Sequence, residues 1–170
     1  MKTPCVFRGD FVTEYRFYDT DDYGQAEYDI TGDHYLTLIE SCFKYCSVFC
    51  LRIHDDRTVL PSELEKYRVD FDENFSNAYK HYFNSDIRCY RVCDETKKLF
   101  LTIADSIFKW IYAWGYTNPE DPAFFRSDGS IFFYSVIHEG ECILLPRDCE
   151  NVCDILSYGN WENTKNTGDG

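Results

Sequence analysis

The sequence predicts an α+β fold: a mainly antiparallel sheet packed against helices, in a single domain spanning 1–161. Three observations predict it. Strand-like and helix-like segments follow one another without the regular rhythm of βαβ units. Two strand-length apolar runs, 131–138 and 142–145, flank Glu139-Gly140-Glu141, the spacing of an antiparallel hairpin. The chain has 170 residues, 44% of them apolar and 18% aromatic, which is enough for one core of the usual domain size of roughly 100–200 residues.

The elements are read in chain order. Residues 5–8 and 11–18 read as strands; in the second, Phe11, Thr13, Tyr15 and Phe17 share a face by strict alternation. Asp19 to Gly24 is a turn. Asp33 is placed to cap a helix over 34–47, whose apolar stripe is Tyr35, Leu38, Ile39, Cys42, Phe43 and Cys46. Residues 48–53 switch to a β-branched and aromatic run, a strand. Residues 60–66 form a short helical candidate, and 72–83 a second helix with Phe71, Phe75, Tyr79, Tyr82 and Phe83 on one side. Residues 87–93 read as a strand.

Asp94 is placed to cap the longest helix, about 95–114, with Leu99, Ile103, Ile107, Trp110, Ile111 and Trp114 as its buried stripe and Gly115 at its end. That stripe and the 131–145 hairpin are expected to form the centre of the core. The prolines at 119 and 122 mark 118–122 as a loop. A helix over 149–157 ends at Gly159, and 162–170 is a flexible polar tail.

Charge narrows the function classes. Lys plus Arg is 17 against 30 Asp plus Glu, a net charge of −13, which repels phosphate backbones and argues against a nucleic-acid binder. Residues 1–33 carry −5, residues 34–117 carry −1 and residues 118–170 carry −7, so nearly all of the excess sits at the two ends of the chain. Brought together by the fold, the two ends make one acidic face. Such a face serves solubility or docks a basic partner. Asp19, Asp21, Asp22, Glu139 and Glu141, all in turns, are the candidate contact residues.

The first residues lack the apolar stretch of a signal peptide, and no run approaches the roughly 20 apolar residues of a membrane span. A cytoplasmic protein off the membrane is therefore expected. The nine cysteines are odd in number, and none is spaced C-x2-C. Reduced thiols acting as small buried hydrophobes, with no metal, are the expectation.

No motif fixes a chemistry. Asp19, Asp21, Asp22 and Gly24 open like a calcium loop, but Tyr23 and Ile30 stand where oxygen ligands are required. Glycine-rich phosphate loops and the G-x-S-x-G elbow do not occur, and no cofactor is indicated. One catalytic arrangement is conceivable: His138 as a general base beside Glu139 and Glu141, with Cys142 on the facing strand as a thiol nucleophile.

The segment from Asp128-Gly129-Ser130-Ile131-Phe132-Phe133 through His138-Glu139-Gly140-Glu141-Cys142 to Leu145-Pro146-Arg147, with Gly159-Asn160-Trp161 beyond it, resembles in style the small immunity proteins of bacterial toxin systems. The resemblance implies an acidic, aromatic-rich, cytosolic and non-enzymatic protein that binds and blocks a cognate toxin domain, often a basic nuclease. It carries over no individual functional residue. The expectation is an immunity protein acting by occlusion. Its rivals are a thiol enzyme using Cys142 and His138, and a DNA mimic from a phage or mobile element.

Overall fold

The structure is a computed structural model that describes residues 12–20, 28–72, 86–112, 115 and 117–164. Its frame is an antiparallel sheet of eight strands, flanked by helices, as the sequence predicts. The strands are β1 (Tyr15–Tyr18), β2 (Val48–Ile53), β3 (Arg68–Val69), β4 (Asp86–Arg91), β5 (Glu120–Phe125), β6 (Ile131–Val136), β7 (Glu141–Leu144) and β8 (Trp161–Asn163), in the spatial order β3-β4-β2-β5-β6-β7-β1-β8. The helices are α1 (Gly32–Tyr45), α2 (Asp94–Ile103) and α3 (Cys153–Leu156), with 3-10 turns at Ser62–Tyr67, Ile107–Lys109 and Ile137–Glu139. The expected strand at 5–8 and helix at 72–83 lie almost wholly outside the described residues.

The alternation in β2 decides its two faces. Phe49, Leu51 and Ile53 point into the main core with Phe17, Leu38, Phe100, Trp110, Phe124 and Leu144. Cys50 points to the other face, where it meets Cys89, Ala123 and Phe125. Trp110 is fully buried, packs at a tilt against Phe100 with ring centres 4.3 Å apart and donates its indole N–H to the Tyr35 hydroxyl at 3.0 Å, so this large ring is buried without an orphaned donor. Burial pushes the Tyr35 phenol up. Trp110 thus shares one core with Phe132, Phe133 and Leu144 of the hairpin. Trp114 lies outside the described residues.

Five expectations are corrected. The long helix stops at Ile103; Ala104 and Ser106 are extended, and Ile107 and Trp110 reach the core from a 3-10 turn instead. The first helical turn of α2 is capped by Cys93, with the Thr96 hydroxyl accepting the Cys93 N–H at 3.0 Å, so Asp94 is inside the helix. Likewise α1 begins after Thr31, and Asp33 sits in its first turn, where a carboxylate favours the positive end of the helix.

The expected loop at 118–122 runs into a fully buried strand, β5. Pro122 has no N–H for a ladder. It is accommodated because the β2–β5 register slips between Cys50 and Arg52, a bulge that takes the proline out of the hydrogen-bond sequence.

The fourth correction concerns the thiols. Cys50 and Cys89 face each other across β2 and β4 and form a disulfide, so these two are not reduced. Cys42, Cys46, Cys93, Cys142, Cys149 and Cys153 are free. Glu162 and Asn163, read as the start of the tail, join Trp161 in β8 and pair with β1.

Candidate functional site

The topology brings together described parts of the two acidic stretches of the sequence. β1 lies between β7 and β8, so the half-sheet β5-β6-β7-β1-β8 is built only from residues before 20 and after 118. Asp19 closes this junction through its backbone: its N–H donates to the Gly140 carbonyl at 2.7 Å, and its carbonyl accepts the Tyr28 N–H at 2.6 Å. Gly140 has φ +68°, a backbone that strains any L side chain, and a Cβ there would also push the Asp19 carboxylate aside.

Of the five candidate contact residues, the structure brings Asp19, Glu139 and Glu141 together at this turn. Asp21 and Asp22 lie outside the described residues. Glu139 is exposed. Glu141 is largely covered and pairs with Arg16 at 3.3 Å, which also holds Glu14 at 2.8 Å. The other two described arginines of the chain ends are engaged in the same way, Arg126 by Glu150 and Arg147 by Asp128.

His138 takes a partner the sequence did not suggest. The 3-10 turn Ile137–Glu139 carries its ring back over the start of β5, where Nε2 lies 3.1 Å from Glu120 Oε1. Glu120 is 0% exposed. Its carboxylate also accepts from Arg52 Nη1 at 2.6 Å and from the Tyr112 N–H at 2.9 Å. Asp121 beside it is buried too, accepts the Ile137 N–H at 2.8 Å and lies 3.7 Å from Arg52. Asp121 has φ +50°, the left-handed region, and is the one non-glycine residue there among the described residues. Such a conformation costs of order 1–3 kcal/mol and persists where its surroundings over-determine it. Here the neighbouring bulge and the bond to Ile137 do so.

Tyr112 extends the cluster to the surface. His54 stacks on its ring at 4.5 Å, and the Arg57 guanidinium lies 5.6 Å from the ring centre. Asp55 fixes Arg57 through two charged hydrogen bonds of 2.6 and 3.2 Å, and that pairing holds the Asp55 carboxyl down at about 2. Glu120 therefore sits beneath a surface layer of His54, Arg57, Tyr112 and His138, drawn from three separate segments.

The Cys142 and His138 arrangement is not assembled. Cys142 is fully buried in the main core, and burial pushes its thiol far above the ordinary range, so it holds no thiolate at neutral pH. The His138 ring is bound to Glu120 instead. Among the described residues, no group of three His, Cys, Asp or Glu side chains is placed to hold a metal, and no helix is long and apolar enough to cross a membrane.

His138 was legible as a polar residue at a strand end. Glu120, Asp121 and Arg52 were not, because their meeting depends on the β2–β5 pairing. The available signal was the pair of acids directly before Pro122-Ala123-Phe124-Phe125, an apolar run into which they are drawn. No protein-family model, no curated protein and no solved structure matches the chain.

Proposed function

We propose that this protein is a non-enzymatic binding protein of the cytoplasm, an immunity protein that neutralises a basic, nuclease-type toxin domain by occluding it. The observation that supports the reading is the insertion of β1 between β7 and β8, which sets Tyr15–Tyr18 of the acidic N-terminal stretch between strands of the acidic C-terminal one. Residues 1–33 and 118–170 hold −12 of the −13 net charge. A basic nuclease surface and such a half-sheet are complementary, and complementarity of this kind speeds encounter and selects the partner. Occlusion needs no catalytic group: the acids take the places that phosphates occupy on the nuclease.

The test is co-expression with the toxin domain encoded beside this gene. Growth should be restored, and the two proteins should purify as a one-to-one complex whose association rate falls as salt rises. Neutralising Asp19, Asp21, Asp22, Glu139 and Glu141 together should slow association. Killing that persists in the presence of the intact protein overturns the reading. Rescue of unrelated nucleic-acid enzymes, with no preference for the neighbouring toxin, favours a DNA mimic instead.

A further inference from the structure

We infer that Cys46 and Cys93 join in a reversible disulfide under oxidising conditions, a second clasp on the β2–β4 ladder that fastens the end of α1 to the start of α2. The sequence carries one spacing twice, with three residues between Cys46 and Cys50 and three between Cys89 and Cys93. In the ladder Cys50 faces Cys89, and Val48 faces Arg91. The two strands still hold one residue further on, where the Val92 N–H donates to the Ser47 carbonyl at 2.9 Å. The next step of that register pairs Cys46 with Cys93.

Both residues have extended backbone and stand where a strand end meets a helix: Cys46 closes α1 and Cys93 opens α2. Both line one cleft, with Glu40, Lys44 and Lys97. Lys97 bonds Glu40 at 2.9 Å and so ties the two helices together beside the thiols. Among the described free cysteines, Cys42 and Cys142 are buried and Cys149 and Cys153 are exposed, whereas Cys46 and Cys93 are both half-buried.

The two thiols are separate in the reduced protein. Cys46 packs against the main core, and the Cys93 sulfur accepts the Thr96 N–H as the cap of α2. Bond formation therefore turns both side chains into the cleft and costs α2 its side-chain cap. Burial holds the Cys46 thiol far above the ordinary range, so Cys93 reacts first and Cys46 resolves. With hydrogen peroxide as the oxidant, the Cys93 thiolate attacks one peroxide oxygen, the O–O bond breaks and hydroxide leaves. The Cys46 sulfur then attacks the resulting sulfenic acid. An S–S bond forms, the S–O bond breaks, and the hydroxyl departs with the thiol proton as water. The thiol pair gives up two electrons and two protons, and one peroxide becomes two waters.

The experiment is tryptic mass mapping of the full-length native protein before and after hydrogen peroxide, with remaining thiols blocked before digestion. Trypsin cuts after Lys44, Arg52, Arg88, Arg91 and Lys97, so the Cys50–Cys89 bond joins segment 45–52 to segment 89–91. After peroxide the same fragment should gain segment 92–97. A mild thiol reductant applied to the native protein should release 92–97 and leave 45–52 joined to 89–91, because Cys50 and Cys89 are buried. Hydrogen exchange at the Thr96 amide should rise about fivefold on oxidation, the loss of one helix cap. Cys93→Ser should fold, since serine is a favoured cap, and should abolish the gain of 92–97. Peroxide-treated wild type in which Cys93 stays unlinked, ends as a sulfinic acid or bonds any other cysteine overturns the inference.

Discussion

Arg126 and Glu150 form a buried, two-pronged ion pair: Nε donates to Oε1 at 2.7 Å and Nη2 to Oε2 at 2.6 Å. Arg126 is the arginine at the end of β5, and its side chain is only 5% exposed. Its remaining donors reach the carbonyls of Ile131 at 2.6 Å and Leu145 at 2.7 Å, and the Ser130 hydroxyl at 3.2 Å. One guanidinium therefore ties the ends of β5, β6 and β7 to the loop before α3. A planar fork of donors can do this, and a lysine cannot.

Breaking this network should be costly. Arg126→Ala leaves Glu150 buried without its cation and should lower stability by about 3–5 kcal/mol in chemical denaturation. Replacing both partners by apolar residues, Arg126→Met with Glu150→Leu, often restores stability for an isolated buried pair. Here it should not, because the Ile131 and Leu145 carbonyls still lose their donors. Recovery to near wild type would show that the pair acts alone.

Asp121 combines a left-handed backbone with an acceptor for the Ile137 N–H. Asparagine tolerates that backbone and keeps a side-chain oxygen; alanine has neither property. Asp121→Asn should therefore retain most of the stability, while Asp121→Ala should lose about 2–4 kcal/mol from the missing charged hydrogen bond and the strain. Equal melting temperatures for the two variants would remove the assigned role.

Acid sensitivity should show at Asp128. The Ser130 hydroxyl and then Arg147 hold its carboxyl below the usual carboxylate range in the folded protein. Because the folded value is the depressed one, its contribution is complete above the unfolded value of about 4 and is lost as pH falls below it. Asp128→Asn should thus be less stable than wild type at pH 7, by under about 1 kcal/mol for a half-exposed pair. The gap should close as the pH is taken down toward 2. A gap that widens in acid would contradict the assignment.

Thiol labelling should divide the cysteines by burial. Cys149 and Cys153 are exposed and should alkylate quickly in the native protein. Burial raises the Cys42 and Cys142 thiols, so both should resist until the chain is unfolded. Cys50 and Cys89 should label only after reduction, a result readable by peptide mass. Free alkylation of Cys50 in unreduced, unfolded protein would show that the disulfide does not form.

Periodic elements were legible in the sequence, and elements whose identity depends on long-range pairing were not. The 3.6-residue stripe of α1 follows from burial of one face, and the near-continuous apolar runs of β2 and β6 from burial on both, which the sequence records directly. The overlong helix arose because Ile107 and Trp110 continue the apolar spacing of α2 after its backbone has left the helix, and no glycine or proline marks the break. β5 was hidden because Glu120, Asp121 and Pro122 all disfavour a central strand when taken one by one. Their burial follows from a bulge against β2 and from Arg52, supplied 68 residues earlier. The Cys50 and Cys89 bond depends in the same way on the β2–β4 register. At the site, His138 could be singled out from sequence, but its partner lies 18 residues upstream on another strand.

The place of β1 between β7 and β8 also sets an order of events during synthesis. Arg16 and its neighbour Glu141 are 125 residues apart, so β1 leaves the ribosome long before either strand that will flank it exists. At about 5–20 residues per second the wait is roughly 6–25 s. For that interval the nascent chain carries an unpaired strand with Tyr15 and Phe17 on one face, open to a chaperone or to pairing with another chain. The sheet closes only when the last strands are made.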